Sequence, residues 1–390
     1  MITLERNSTL DPIRTTQLDT STDIINLGIG QPSPSLLPLS LMRQAAAHRL
    51  REHPELLAYG LEQGDGHFRQ TLADFLGAEY GAPVEADQLF VTAGASQALD
   101  LVCTLFTQPG DTVLVEDPSY FLALRIFSDH RLNVIGIPID ENGLHVPALE
   151  ELLGEHDPAF IYTIPAFHNP GGCVLNAERR QELIRISSER NLLVVADEVY
   201  HLLNYGAGIS QPLGCSAGHA PILSLGSFSK IMAPGLRLGW IQTGKKLMER
   251  LTSCGVLDSG GGLNPFTSNL VRSAIELGLQ QEQLALLRET YASRLQTLSN
   301  VLKRDLGSIL AFDQPAGGFF IWAALPDEFD VAALLPAAES AGVGYLPGSR
   351  CSPGGGLHNW MRLSFAYYES EDLEEGSQRL ARALLPLLDG

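Results

Sequence analysis

From about residue 88 to 245, short apolar runs alternate with helical patterns, and strands written this way bury themselves in a mostly parallel sheet covered on both faces. Candidate strands are Leu89–Val91, Thr112–Val115, Phe160–Ile164, Leu192–Ala196, Ile222–Leu225 and Leu238–Gln242. After Ala95, the residues Leu99, Val102, Cys103 and Phe106 fall at i, i+3, i+4 and i+7, so a helix follows the first strand directly. A second helix is predicted from the capping residue Asn176 to Arg190, and the stretch from about 265 to 305 reads as long helices. Beyond it, Phe319–Ala323, Val343–Tyr345 and Met361–Phe365 look like strands set between helices, which points to a smaller α+β unit.

The chain has 390 residues, 45% hydrophobic and 18% charged, enough to bury a large core. Lys plus Arg number 26 against 45 Asp plus Glu, a net charge of -19, so nucleic acid and anionic membrane surfaces are not expected partners. A small anion remains compatible, because a few arginines aimed into a cleft dominate the field there. Five scattered cysteines, Cys103, Cys173, Cys215, Cys254 and Cys351, lack the paired spacing of zinc or redox sites and read as reduced thiols. The opening Met-Ile-Thr-Leu-Glu-Arg has no basic stretch followed by an apolar one, and no apolar run is long enough to span a bilayer. A cytoplasmic protein without membrane attachment is expected. The first forty or so residues are polar and could wrap onto the small unit or onto a second subunit, while Gly260–Gly262 and Gly354–Gly356 are expected to be mobile loops.

Chemistry concentrates at the C-terminal ends of the candidate strands. The run Ser227-Phe228-Ser229-Lys230, followed by Ala233-Pro234-Gly235-Leu236-Arg237, puts a lysine in a small-residue turn with hydroxyls and an arginine beside it. Such a lysine can form an imine while its neighbours bind an anion, although a lone lysine is ordinarily a solvated one. Asp197 closes the apolar run Leu192–Ala196, where a carboxylate needs a partner; a protonated pyridine nitrogen is one, and capping a loop is the plainer use. Gly94-Ala95-Ser96-Gln97 links a strand to a helix and can receive a phosphate on its backbone N–H groups. Asn169-Pro170-Gly171-Gly172 is a Pro-Gly turn whose asparagine could meet a ring hydroxyl. Tyr120 could stack on a flat ring, and Arg362, among apolar neighbours, needs an anion such as a carboxylate or an internal acid.

Taken in order, these segments resemble the class I/II aminotransferases of fold type I, which use pyridoxal 5'-phosphate, over nearly the whole chain. They are most similar to the aminoadipate and kynurenine aminotransferases and the aminotransferase half of the MocR regulators. The resemblance implies a large domain, residues 45–285, with a mostly parallel seven-stranded sheet sandwiched by helices. A smaller α+β domain would come from residues 1–44 and 286–390. It implies Lys230 as the Schiff-base lysine, Asp197 on the pyridine nitrogen, and Asn169 and Tyr200 on the phenolic oxygen. Ala95, Ser96, Gln97, Ser227, Ser229 and Arg237 would surround the phosphate, with Tyr120 stacked on the ring and acting in catalysis. Arg362 would take the substrate α-carboxylate, assisted by Asn169 and by Gly30 in Gly28-Ile29-Gly30-Gln31-Pro32, a segment similar to one that closes over substrate. Those glycines do not make a dinucleotide fingerprint, because Ser33 stands at the third glycine and Pro32 and Pro34 oppose a helix. Tyr59 resembles the tyrosine lent across a homodimer interface to the neighbour's phosphate.

The implied reaction is ping-pong transfer of the amino group of an L-amino acid to a 2-oxo acid. The same apparatus would serve a carbon–sulfur β-lyase, or a module that binds the cofactor and amino acids without turnover. Two departures from the resemblance, the glycine-rich Ser259–Pro265 and Phe365-Ala366-Tyr367-Tyr368, bear on which side chain the pocket accepts.

Overall fold

Residues 23–51, 54–206 and 208–388 are described by a computed structural model of the protein. The first strand, β1 (Ile25–Asn26), precedes eight that form one sheet. These are β2 (Leu89–Thr92), β3 (Thr112–Asp117), β4 (Asn133–Asp140), β5 (Gly143–Leu144), β6 (Phe160–Thr163), β7 (Val194–Asp197), β8 (Ile222–Ser227) and β9 (Gly239–Thr243). Their spatial order is β2-β9-β8-β7-β6-β3-β4-β5. From β8 to β4 the strands run parallel, whereas β9 is antiparallel to both its neighbours. The sheet therefore has eight strands against the seven expected, because the two-residue β5 folds back on β4 and extends the edge.

Side chains alternate along each strand and fill two separate cores. Phe90, Val113, Val115, Phe160, Tyr162, Val195, Leu225 and Ile241 meet the helices Ala95–Phe106 and Phe121–Asp129 on one face. Leu114, Ile161, Val194, Ala196 and Ile222 meet the helices Val146–Glu155 and Ala177–Arg190 on the other. Burial on both faces is why β2, β6, β7, β8 and β9 are buried at every position and carry no alternating polar face. Asn176 caps its helix as expected, its side chain accepting from the Arg179 N–H. β4 escaped the sequence reading because it is mostly half-exposed and contains Gly136 and Pro138, which a strand near the sheet edge tolerates.

A second, antiparallel sheet has the order β10-β11-β14-β13, built from β10 (Ala311–Phe312), β11 (Phe320–Ala324), β13 (Leu346–Pro347) and β14 (Trp360–Ser364). The remaining strand, β12 (Val343–Gly344), pairs in parallel with β1, so the described part of the N-terminal segment joins the small unit. The first 22 residues, about which the same expectation was framed, lie outside the described set. The 28-residue helix Leu279–Leu306 packs along Ser370–Leu388 beside this sheet.

Gly260 is not in a loop but ends the short helix Gly255–Gly260. Gly261 and Gly262 are glycine for a local reason: a Cβ there would lie 2.3 Å from the Gly60 carbonyl oxygen and 1.9 Å from that of Leu61. All five cysteines are unpaired. Among the described residues, no helix is long and apolar enough to cross a membrane, and no group of side chains could hold a metal ion.

Candidate active site

Parallel strands end on the same side, and the loops leaving β2, β3, β6, β7 and β8 surround a cavity of about 640 Å³. Of the residues singled out from the sequence, Gly30, Ala95, Ser96, Tyr120, Asn169, Asp197, Tyr200, Ser227, Ser229, Lys230, Arg237 and Arg362 all line it. Segments more than 330 residues apart in the chain meet here, as Arg362 donating to the Gly28 carbonyl illustrates. Two residues are not brought in. Gln97 points its amide oxygen back at the Ala93 N–H (3.0 Å), stabilising its own turn. Tyr59 is 87% exposed and stands outside the cavity of its own chain.

Lys230 follows β8 in a single helical turn whose N-cap is Ser227, the Ser227 Oγ accepting from the Ser229 N–H (3.1 Å). The lysine Nζ donates to the Gly30 carbonyl (2.8 Å) and lies over the rings of Phe319 and Tyr200 at 5.2 and 5.7 Å. Burial, reinforced by the nearby Arg362 charge and opposed by Asp197, pulls its pKa down to about 8. A neutral, nucleophilic amine is therefore accessible near neutral pH.

Asp197 ends β7, 7% exposed. Its Oδ2 accepts from the Tyr162 hydroxyl (2.7 Å), whereas Oδ1 is buried with no hydrogen-bond partner among the described residues. Burial pushes the carboxyl pKa up, opposed by the Tyr162 hydroxyl, the Val199 N–H and Lys230. An acceptor left unpaired at a cavity wall is costly until a donor arrives.

Arg362, 2% exposed, projects from β14. It donates to Asn169 Oδ1 (2.7 Å) and to the Gly28 carbonyl (2.8 Å), and its guanidinium sits 4.0 Å from the Phe320 ring centroid and 5.6 Å from that of Phe121. Two aromatic faces and two neutral acceptors hold the cation in place without neutralising it, and burial lowers its pKa. No acid pairs with it among the described residues, so the internal salt bridge weighed from the sequence is not the one formed.

The turn after β2 provides the anion end of the cavity. Gly94, at φ +93, caps the helix Ala95–Phe106, and a Cβ there would come 3.0 Å from Arg237 Nη2. Arg237 adopts a left-handed backbone (φ +46), held by hydrogen bonds to the Pro234 and Ala93 carbonyls and by Asn264 donating to its own carbonyl. That geometry turns its side chain back across the helix N-terminus. Tyr120 faces the same space, its hydroxyl pushed up to about 12 by burial and by the Asp197 charge.

Three contributors had gone unread in the sequence. Tyr162 is one, hidden in an apolar strand; a tyrosine at a fully buried position needs a partner for its hydroxyl, and that was the available signal. Glu116 and His168 are the others. Glu116 accepts from Thr163 Oγ1 and the Ile164 N–H (both 2.7 Å) and lies 3.2 Å from His168 Nε2. His168 Nδ1 accepts from the Gly171 N–H (2.9 Å), so this network braces the turn that carries Asn169.

Comparison with known proteins agrees with this geometry. Residues 22–380 match the family described as aminotransferase class I and II. The chain is 31% identical to aromatic-amino-acid aminotransferase 1 of Thermococcus litoralis, covering 93% of this chain and 88% of that protein. It is 33% identical to 2-aminoadipate transaminase of Thermus thermophilus, covering 94% and 91%. Its fold superposes on the crystal structure of Pyrococcus horikoshii kynurenine aminotransferase in complex with PMP with a TM-score of 0.88, at 32% identity and 94% and 92% coverage. The chain belongs to the class I and II aminotransferases, and it is an enzyme that transfers amino groups with pyridoxal phosphate.

Proposed function

We propose that Lys230 is the amine that holds the cofactor and carries the substrate proton. The observation that carries this reading is the meeting, in one cavity, of an amine with lowered pKa, an orphaned carboxylate oxygen and an unneutralised arginine. Pyridoxal phosphate fits the residues present. Asp197 Oδ1 lacks the donor that a protonated ring nitrogen supplies, and Arg237, Ser227, Ser229 and the Ala95–Ser96 turn form a cationic, N–H-rich end suited to its phosphate. Tyr120 is the stacking face, and Asn169 and Tyr200 are the partners of the ring oxygen. Gln97 contributes through its backbone and its brace on Ala93.

When bound, the group supplies an aldehyde that condenses with amines and a cationic ring that accepts the electron pair left behind as the substrate α-proton departs. The protein's part is binding, orientation and proton transfer. Arg362 takes the α-carboxylate bidentately, exchanging the Gly28 carbonyl for a charged acceptor, while Asn169 keeps the guanidinium aligned. Lys230 Nζ, released from the Gly30 carbonyl, would take the proton from the substrate α-carbon and hold it for return.

Donor side chains of the kind named for the relatives, aromatic amino acids and 2-aminoadipate, set the range for this chain. The working unit is a homodimer. Leu57, Tyr59 and Leu61 are exposed at 76%, 87% and 61%, and Val256 at 59%, an apolar surface that a second copy would cover while Tyr59 reaches the neighbour's phosphate. The large domain is assigned to residues 45–285 and the small one to 1–44 with 286–390. Five unpaired cysteines are in keeping with the cytoplasm as its compartment.

The test is spectroscopic. Wild type supplied with pyridoxal phosphate takes up visible absorbance that amino acids discharge and 2-oxo acids restore, and borohydride fixes the cofactor to the peptide containing Lys230. Lys230→Ala shows neither; retained absorbance and fixation in that variant overturn the assignment.

A further inference from the structure

The proposed role of Asp197 raises the question of what keeps its carboxylate ionised and aimed. Buried carboxylates drift toward the neutral form, and a neutral Asp197 could not sustain a positive charge on the ring. The groups facing it are few. Lys230 and the Val199 N–H favour its charged form, while Glu116 on β3 adds a like charge and Tyr120 and Tyr200 stand close by. Tyr162, on the adjacent strand β6, makes the 2.7 Å contact.

Tyr162 is fully buried, and its ring is fixed edge-on against Phe127 (5.5 Å between centroids, 74° between planes). Parallel pairing of β6 with β7 places Tyr162 opposite Val195, so the hydroxyl reaches two residues further along β7 to Asp197 at its end. Packing alone does not call for an oxygen here: a phenylalanine would fill the same space between Phe127 and Val195. The hydroxyl occupies Oδ2 and leaves Oδ1, buried and without a partner among the described residues, as the remaining acceptor of a side chain that lines the cavity.

We infer that Tyr162 is a positioning residue of the transamination site, holding Asp197 ionised and directing its free oxygen at the ring nitrogen of the cofactor. This rests on the role given to Asp197 above. Tyr162 itself touches neither substrate nor cofactor; its hydroxyl acts through the carboxylate. Without that donor the carboxylate gains proton affinity, the ring loses positive character, and electron withdrawal from the substrate weakens.

Tyr162→Phe isolates the hydroxyl while keeping the ring. Wild type, Tyr162→Phe, Asp197→Asn and the double variant are reconstituted with pyridoxal phosphate and compared by absorbance against pH, and by single-turnover conversion of an amino acid that wild type accepts. Loss of one hydrogen bond to a charged group should slow conversion by Tyr162→Phe about ten- to a hundredfold. The half-saturating amino acid concentration, set at Arg362, should stay nearly constant. The absorbance transition of the bound cofactor should move to higher pH, which a packing role would not produce. The double variant should be no slower than Asp197→Asn alone. Wild-type titration and conversion in Tyr162→Phe, alongside a crippled Asp197→Asn, overturn the role of Tyr162 and leave Asp197 standing. An additional loss in the double variant also overturns it, because Tyr162 would then act elsewhere. An unimpaired Asp197→Asn removes the assignment of Asp197 and this proposal together.

Discussion

Lys230 and Arg362 line one cavity, and among the described residues no acid pairs with Arg362. Proximity of Arg362 adds to burial in depressing the lysine pKa to about 8. Below that pH the amine is protonated and cannot attack an aldehyde, and above it the neutral form dominates. Uptake of pyridoxal phosphate by cofactor-free protein should therefore accelerate as pH rises toward about 8 and then level off, whereas an ordinary lysine would keep gaining well beyond; stopped-flow absorbance reads this. Arg362→Gln removes the charge that meets the carboxylate. The KM for the amino donor should rise by about a hundredfold, the usual scale for breaking a buried charge pair, with cofactor affinity nearly unchanged. Gly30→Ala acts by volume: its Cβ would sit 3.0 Å from Phe320 Cζ and 3.5 Å from Arg362 Nη2, so it too should raise KM, though less.

Among the elements, β8 and β9 carry the catalytic turn, and their contact is intimate. Trp240 on β9 lies flat across Gly226 on β8, where an added Cβ would come within 2.0 Å of the indole. Gly226→Ala should thus cost about 1–3 kcal/mol in a denaturant titration, and should weaken cofactor retention because Ser227 is the next residue. The strands ending at Thr92, Asp117, Thr163, Asp197 and Ser227 were readable from sequence, since burial on both faces writes each around a short apolar stretch. β4 was not, because a half-exposed position beside the edge strand β5 lets Gly136 and Pro138 stand inside a strand. The same contrast holds in the site. Lys230, Asp197 and Arg362 are costly residues in apolar or small-residue settings, which marks them in the sequence. Tyr162, Glu116 and His168 are visible only through partners 35 to 52 positions away in the chain, and such pairings are set by strand order, which local pattern does not encode.

At the scale of the molecule, the exposed Leu57-Tyr59-Leu61 surface argues for a partner copy. Light scattering should give a dimer, and Leu57→Arg should shift it toward monomer with a parallel loss of bound cofactor on dilution. Tyr59→Phe in an intact dimer should loosen cofactor binding without altering mass.

The pairing of β1 with β12 has a further consequence. Gly28 and Gly30 follow β1 within four residues, and their carbonyls are the very groups that occupy Arg362 and Lys230. Two main-chain carbonyls of a strap moored to the small unit thus occupy the groups that an incoming aldehyde and an incoming acid would engage. Of these two contacts only that of Gly30 with Lys230 crosses to the eight-stranded sheet, so a lysine engaged by an aldehyde gives up one link between that sheet and the strap.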